Sequence, residues 1–224
     1  MFDYGSVTVT LKLAVASTAI LMLVATPLAW WLANTGSRLK PIVESVTALS
    51  LVLPPTVLGF YLLVLFNPDS PIGGAWVRLT GDTLAFSFTG ILVAAVLHSF
   101  PFAVQPLQAA FEKVGKRAME TAASLGARPL DAFFTVAVPL AKRGFLTAGV
   151  LAFSHSVGEF GVILMVGGNI PDHTRVISID IYTSVETLDY ERAHILSLGT
   201  LAFAFAAMML LFVINRRYRH YDEI

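Results

Sequence analysis

The chain has 224 residues, of which 56% are hydrophobic and 13% charged, with mean hydropathy +0.73, whereas soluble domains average about 45–50% apolar and about 25% charged. This excludes a disordered chain and argues against an ordinary soluble domain. Fifteen Lys and Arg balance fifteen Asp and Glu, leaving no global positive field to hold nucleic acid, and without cysteine there is no disulfide, thiolate metal cage or cysteine nucleophile.

A bilayer core about 30 Å thick is crossed by roughly 20 apolar residues at 1.5 Å each. Lys12 and Arg38 enclose 25 residues free of charge, Glu44 and Asp69 enclose 24, Asp82 and Glu112 enclose 29, and Arg192 and Arg216 enclose 23. A further stretch, Gly144 to Pro171, is interrupted only by Glu159. These predict an all-α integral membrane protein with five spans, at 11–33, 45–66, 86–108, 144–166 and 193–214. The N-terminal run is expected to be a true span and not a cleaved leader, because Asp3 precedes any cation and the apolar run from Leu13 is too long for one. No separate soluble domain is expected: residues 1–224 read as one membrane domain.

Eleven of the fifteen cations fall on one side: Arg38 and Lys40, the group from Lys113 to Arg143, and Arg216, Arg217 and Arg219. The positive-inside rule then puts the N-terminus outside and the C-terminus in the cytoplasm, with Trp30, Trp31, Tyr218 and Tyr221 as interfacial aromatics.

Residues 112–143 form a cytoplasmic segment too long for an unstructured loop. Glu112, Lys116 and Glu120 are i,i+4 partners, predicting a helix to about Leu125, with Gly126 as its stop. Pro129 suits the first turn of a second helix, whose Leu130, Phe133, Phe134 and Ala137 make one apolar stripe and which Pro139 ends. The knob is either a hairpin packed on its own bundle or a handle for another protein.

Glu120-Thr121-Ala122-Ala123, Gly126 six residues after the glutamate, and Val136-Ala137-Val138-Pro139 resemble the EAA motif of ABC importer permeases, with Thr121, Val136 and Val138 as conservative departures. Leu53-Pro54-Pro55-Thr56-Val57-Leu58-Gly59, Ser99-Phe100-Pro101 and Gly158-Glu159-Phe160-Gly161 look like the molybdate and tungstate permeases, a pattern the sulfate permeases share in part. The resemblance implies a type I ABC importer permease fold in the plasma (inner) membrane. Its coupling segment, residues 118–130 with Glu120, Ala122, Ala123, Gly126 and Pro139, would sit against an ATPase. The implied partners are a second permease copy, two cytoplasmic ATPase subunits that carry ATP and magnesium, an extracytoplasmic oxyanion-binding protein and membrane lipid. No cofactor is expected on this chain, nor any ATPase activity: around Gly115-Lys116 the phosphate-loop pattern fails at Ala110 and Arg117.

Within the spans, Glu159 must face a partner or an aqueous cavity, because a carboxylate at the bilayer centre costs about 2.5–3.5 kcal/mol. A carboxylate repels a dianion, so a structural or gating hydrogen bond is expected in preference to substrate contact. Gly158 and Gly161 are expected to admit a neighbouring backbone. Pro54 and Pro55, and likewise Pro101 and Pro106, should kink their spans. Thr56, Ser99, Ser154 and Ser156 are neutral donors that could meet an oxyanion or bond within the bundle. His155 and Glu159 lie four apart, with His98 a conceivable third ligand, but there is no His-Glu-x-x-His and no metal ligand is assigned. The outer segment from Gly167 to Glu191 reads as an acidic face, carrying Asp172, Asp180, Glu186, Asp189 and Glu191. Rival classes are an intramembrane metalloenzyme and a carrier that needs no nucleotide.

Overall fold

The computed structural model describes residues 4–219, with side chains to Ile214. Asp3, Tyr221 and the side chains of Arg216, Arg217, Tyr218 and Arg219 lie outside what is described. The described residues form α1 (Gly5–Asn34), α2 (Lys40–Val52), α3 (Pro55–Phe66), α4 (Pro71–Thr80), α5 (Phe88–Ser124), α6 (Pro129–Ala132), a π-helical turn (Phe133–Ala137), α7 (Val138–Leu140), α8 (Lys142–Gly158), α9 (Gly161–Gly167), α10 (Ile177–Glu186) and α11 (Tyr190–Arg219).

Three helices, α1, α5 and α11, are long and apolar enough to cross a membrane, and two bent pairs raise the number to five if each counts as one span. The expected second span is not continuous: α2 and α3 meet at 109°. Leu53 and Pro54 are both extended, because a residue that precedes proline is driven out of the helical region, and here two prolines follow in succession. Pro55 then starts α3 from its first turn.

The expected fourth span is likewise divided. Glu159 is extended and Phe160 non-helical, so that α8 ends before α9 begins. At its other end, α8 meets the Pro129–Leu140 segment at 70°. Pro139 therefore does not end its helix: it lies inside α7, and the chain turns at Ala141.

Pro101 and Pro106, by contrast, leave α5 continuous; its one non-helical residue is Gly115, at φ 70° and ψ 164°. Around the two prolines α5 is gripped by α1 and α8, with Ala103, Val104 and Leu107 fully enclosed, so packing compensates for the two missing N–H donors. The turn at Gly115 also separates Glu112 from Lys116. Glu112 instead meets Lys40 of α2 at 3.5 Å and Gln108 at 3.0 Å.

The core is built on the α1–α5–α8 triplet. Ala25, Ala29, Ala94, Ala95, Ala103, Ala148 and Ala152 are buried in it, and such small side chains let helices approach closely where hydrophobic exclusion from water cannot drive them together. At the tightest crossing, a Cβ on Gly144 would lie 2.2 Å from that of Ala110. Larger residues fill the two ends: Leu13, Phe66, Ile91 and Ile163 at one, Leu32, Leu107 and Phe111 at the other, where Trp30 and Phe133 stack edge-on. This second end, the loop end, carries residues 112–143.

Candidate functional site

Side chains of α1, α5 and α8 that point into the triplet form a continuous polar seam. Ser17 of α1 meets Ser156 of α8 at 2.9 Å, Ser156 meets Ser99 of α5 at 3.3 Å, and Ser99 meets His155 Nδ1 at 2.9 Å. The series continues to Glu159 Oε2, 3.5 Å from His155 Nδ1 and 3.6 Å from His98 Nε2. Ser17, Ser99, Ser156 and Glu159 are buried; His155 is half-buried and stacks on Phe102 at 4.1 Å. No Lys or Arg among the described residues pairs with Glu159.

The seam ends where the two broken spans touch. A Cβ on Gly161 would come within 2.9 Å of Pro55 Cβ, and one on Gly59 within 2.7 Å of Met165 Cβ, so α3 and α9 lie almost backbone to backbone. The α2–α3 break at Pro54 and the α8–α9 break at Glu159 are therefore neighbours. Ser178 of α10 donates to the Glu159 carbonyl, satisfying a group that the end of α8 would leave unpaired.

Of the residues singled out in the sequence, the structure gathers Ser99, Ser156, Glu159 and His98 into the seam, and Pro55 and Gly161 at the paired breaks. Gly158 has no neighbour within 4 Å of an added Cβ, so the close approach expected of both glycines belongs to Gly161 alone. Pro54, Pro55 and Thr56 are exposed beside the break. Ser154 points elsewhere: its hydroxyl, like that of Thr18, is buried without a partner beside an apolar groove of about 490 Å³ against Phe203 and Leu210 of α11. Ser17 was missed, although Ser6, Thr10 and Ser17 recur on one face of α1 and signal a polar stripe.

The other two residues of that stripe hold α10. Thr10 Oγ1 accepts the Ile177 N–H at 2.8 Å, and Ser6 donates to Asp180 at 2.6 Å. Arg192 grips the same carboxylate at 2.8 and 3.1 Å. Burial pushes the Asp180 carboxyl up, but the Arg192 and Ser6 hydrogen bonds and the charges of Arg192 and Arg175 outweigh it and hold the group below the usual aspartate range. The acidic face expected across residues 167–191 thus loses Asp180, which is turned inward and paired.

At the loop end, Gly126 closes the first helix with φ 88°, and the N–H groups of Gly126 and Ala127 return to Ala123 and Ala122. Glu120, Ala123 and Pro139 are exposed and Ala122 is buried. The apolar stripe divides. Phe133 packs on Trp30 and Phe111 and Ala137 is enclosed, while Leu130 and Phe134 are 72% and 64% exposed, next to Leu125 at 84%.

This architecture has close relatives. The chain is 52% identical over 217 residues to the molybdenum transport system permease protein ModB of Azotobacter vinelandii, covering 97% of this chain and 96% of that protein. It is 38% identical to the Escherichia coli K12 protein of the same name, over 80% and 79% of the two chains. A probable sulfate transport system permease protein cysT of Helicosporidium is 31% identical over 93% and 77%. Among solved structures, a chain of a bacterial alginate ABC transporter in complex with alginate pentasaccharide-bound periplasmic protein superposes with TM-score 0.75 over 96% of this chain and 78% of that one, at 15% identity, which shows a shared fold. Residues 25–223 match the family of binding-protein-dependent transport system inner membrane components, and the chain belongs to that family: it is a membrane transport subunit and not an enzyme.

Proposed function

We propose that this chain is the permease subunit of an ATP-driven importer that brings molybdate, or tungstate of nearly the same shape and charge, into the cytoplasm. The 52% identity to a molybdenum permease across almost its full length supports that substrate class over sulfate, for which the relative reported above is 31% identical. Two copies form the path, two cytoplasmic subunits hold ATP and magnesium, and an extracytoplasmic oxyanion-binding protein delivers the anion. The N-terminus lies outside and the loop end faces the cytoplasm.

One observation carries the coupling role. Leu125, Leu130 and Phe134 are exposed on the knob, in a segment otherwise tied to Trp30 and Phe111. A patch of this kind suits a partner surface. The ATPase takes hold of the exposed Glu120, Ala123, Gly126 and Pro139, in the segment whose Ala122 is buried, and its closure moves α5 and α8, between which the seam lies. Carrying the permease from 1:99 to 99:1 takes about 5.5 kcal/mol of differential binding, supplied by that interface.

The paired breaks at Pro54-Pro55-Thr56 and Gly158-Glu159-Phe160-Gly161 act as the gate, beside the seam. Ser99 and Ser156 bond within the bundle, Ser154 faces α11, and Glu159 anchors the break and does not touch the dianion. The test is ATPase turnover of the reconstituted assembly with binding protein loaded with molybdate, tungstate or sulfate. Stimulation by the first two and not by sulfate is expected; stimulation by sulfate alone overturns the substrate assignment.

A further inference from the structure

His98 Nε2, His155 Nδ1 and Glu159 Oε2 all lie within 4.8 Å of one another. The two imidazole-to-carboxylate separations, 3.5 and 3.6 Å, exceed the roughly 2.7–3.2 Å of an N–H···O hydrogen bond. They nearly match the ~3.3–3.4 Å edge of a tetrahedron built on metal–ligand bonds of about 2.0–2.1 Å. His98 is 8% exposed, its Nδ1 is buried without a partner, and its Nε2 points at Glu159 without reaching hydrogen-bond length, so this buried ring satisfies neither nitrogen within the described protein. An ion on Nε2 would engage that nitrogen's lone pair; the ring proton would then sit on Nδ1, which has no acceptor among the described residues. The carboxylate beside it, 5% exposed, pairs with no Lys or Arg among the described residues.

We infer that His98, His155 and Glu159 bind a divalent transition-metal cation of the zinc or cobalt class inside the membrane, the ion replacing the 2.9 Å Ser99 hydrogen bond on His155 Nδ1, with the released Ser99 hydroxyl or a water as fourth donor. Imidazole and carboxylate together suit such ions better than magnesium or calcium, which take oxygen ligands. Occupation ties α5 to α8 at the α8–α9 break.

The test uses the full chain, purified in detergent through a tag without histidine, stripped of metal and titrated with Co2+. One ion per chain is expected, with the strong visible absorption of four-coordinate cobalt, displaced by Zn2+. His155→Ala and Glu159→Gln should each weaken binding at least tenfold, while His173→Ala, an exposed residue of the outer segment, should not. X-ray absorption of the zinc-loaded parent gives a readout that needs no variant: two imidazoles and one oxygen donor at about 2.0–2.1 Å are expected. Absence of stoichiometric cobalt absorption, binding undiminished in both ligand variants, or a zinc shell without imidazole would each overturn the site. Because neither readout uses nucleotide or oxyanion, its failure is distinct from failure of the transport reading.

Discussion

Gly126 and Asp180 show how single residues fix the two ends of the molecule. At Gly126 the left-handed φ, and not crowding, demands glycine, since nothing lies within 4 Å of an added Cβ. A β-branched residue there costs about 1–2 kcal/mol and reshapes the turn, whereas asparagine tolerates it. Gly126→Val and Gly126→Asp should therefore lower capture of the ATPase subunit in pull-down several-fold, with Gly126→Asn the mildest of the three. Asp180 is the corresponding pin at the other end. Its folded carboxyl sits below the ordinary value, so its contribution is fully present above about pH 4 and lost as pH falls through the still lower folded value. Hydrogen exchange of residues 177–192 should rise on acidification below pH 4 in the parent. In Asp180→Asn it should already be raised at neutral pH, the lost charged hydrogen bonds costing about 1.5–3 kcal/mol.

At the scale of elements, the charge-free stretches fall on α1, α2–α3, α5 and α11, and the stretch interrupted by Glu159 falls on α8–α9, because the cost of charge in lipid is large and local in sequence. They did not foresee that two spans break, nor that α4 and α10 form. Consecutive prolines at 54 and 55 were legible as a disturbance, but a 109° bend depends on what α3 then packs against. The break at Glu159 has no proline; it is held by Ser178, 19 residues away, and by Pro55 against Gly161, contacts that no local pattern encodes. The seam was half legible for the same reason: His155 and Glu159 lie four residues apart in sequence, whereas Ser17 and His98 arrive from other helices. The glycines at the breaks make a graded prediction. Gly161→Ala and Gly59→Ala, whose Cβ atoms would lie 2.9 and 2.7 Å from a neighbour, should each cost about 1–3 kcal/mol and lower the thermal midpoint in detergent. Gly158→Ala meets nothing and should change it little.

For the whole molecule, the fold and the family came through the sequence most clearly, since hydropathy sets the spans and the motifs at 120–139 and 158–161 mark the permease class. Partners were legible only through resemblance, because a surface that another subunit covers reads in sequence like any other exposed apolar stretch. Replacing Leu130 and Phe134 together by serine should leave the bundle folded, as neither enters its core, yet abolish capture of the ATPase and stimulated transport. Proteoliposomes holding this chain alone should accumulate no oxyanion, and uptake should appear only when ATPase, ATP and loaded binding protein are supplied.

Gly115 has a mechanical implication. From Ser99 to Gly115, α5 is an unbroken rod of roughly 24 Å at 1.5 Å per residue, followed by a short arm that ends at the knob. The dihedral pair joining rod to arm lies in a region essentially reserved for glycine. In the proposed coupling, rod and arm work as a crank whose throw is set by Gly115, which carries no side chain. Any substitution there would straighten the crank, swinging the handle away from whatever turns it while the remote bearing at Ser99 stays in place.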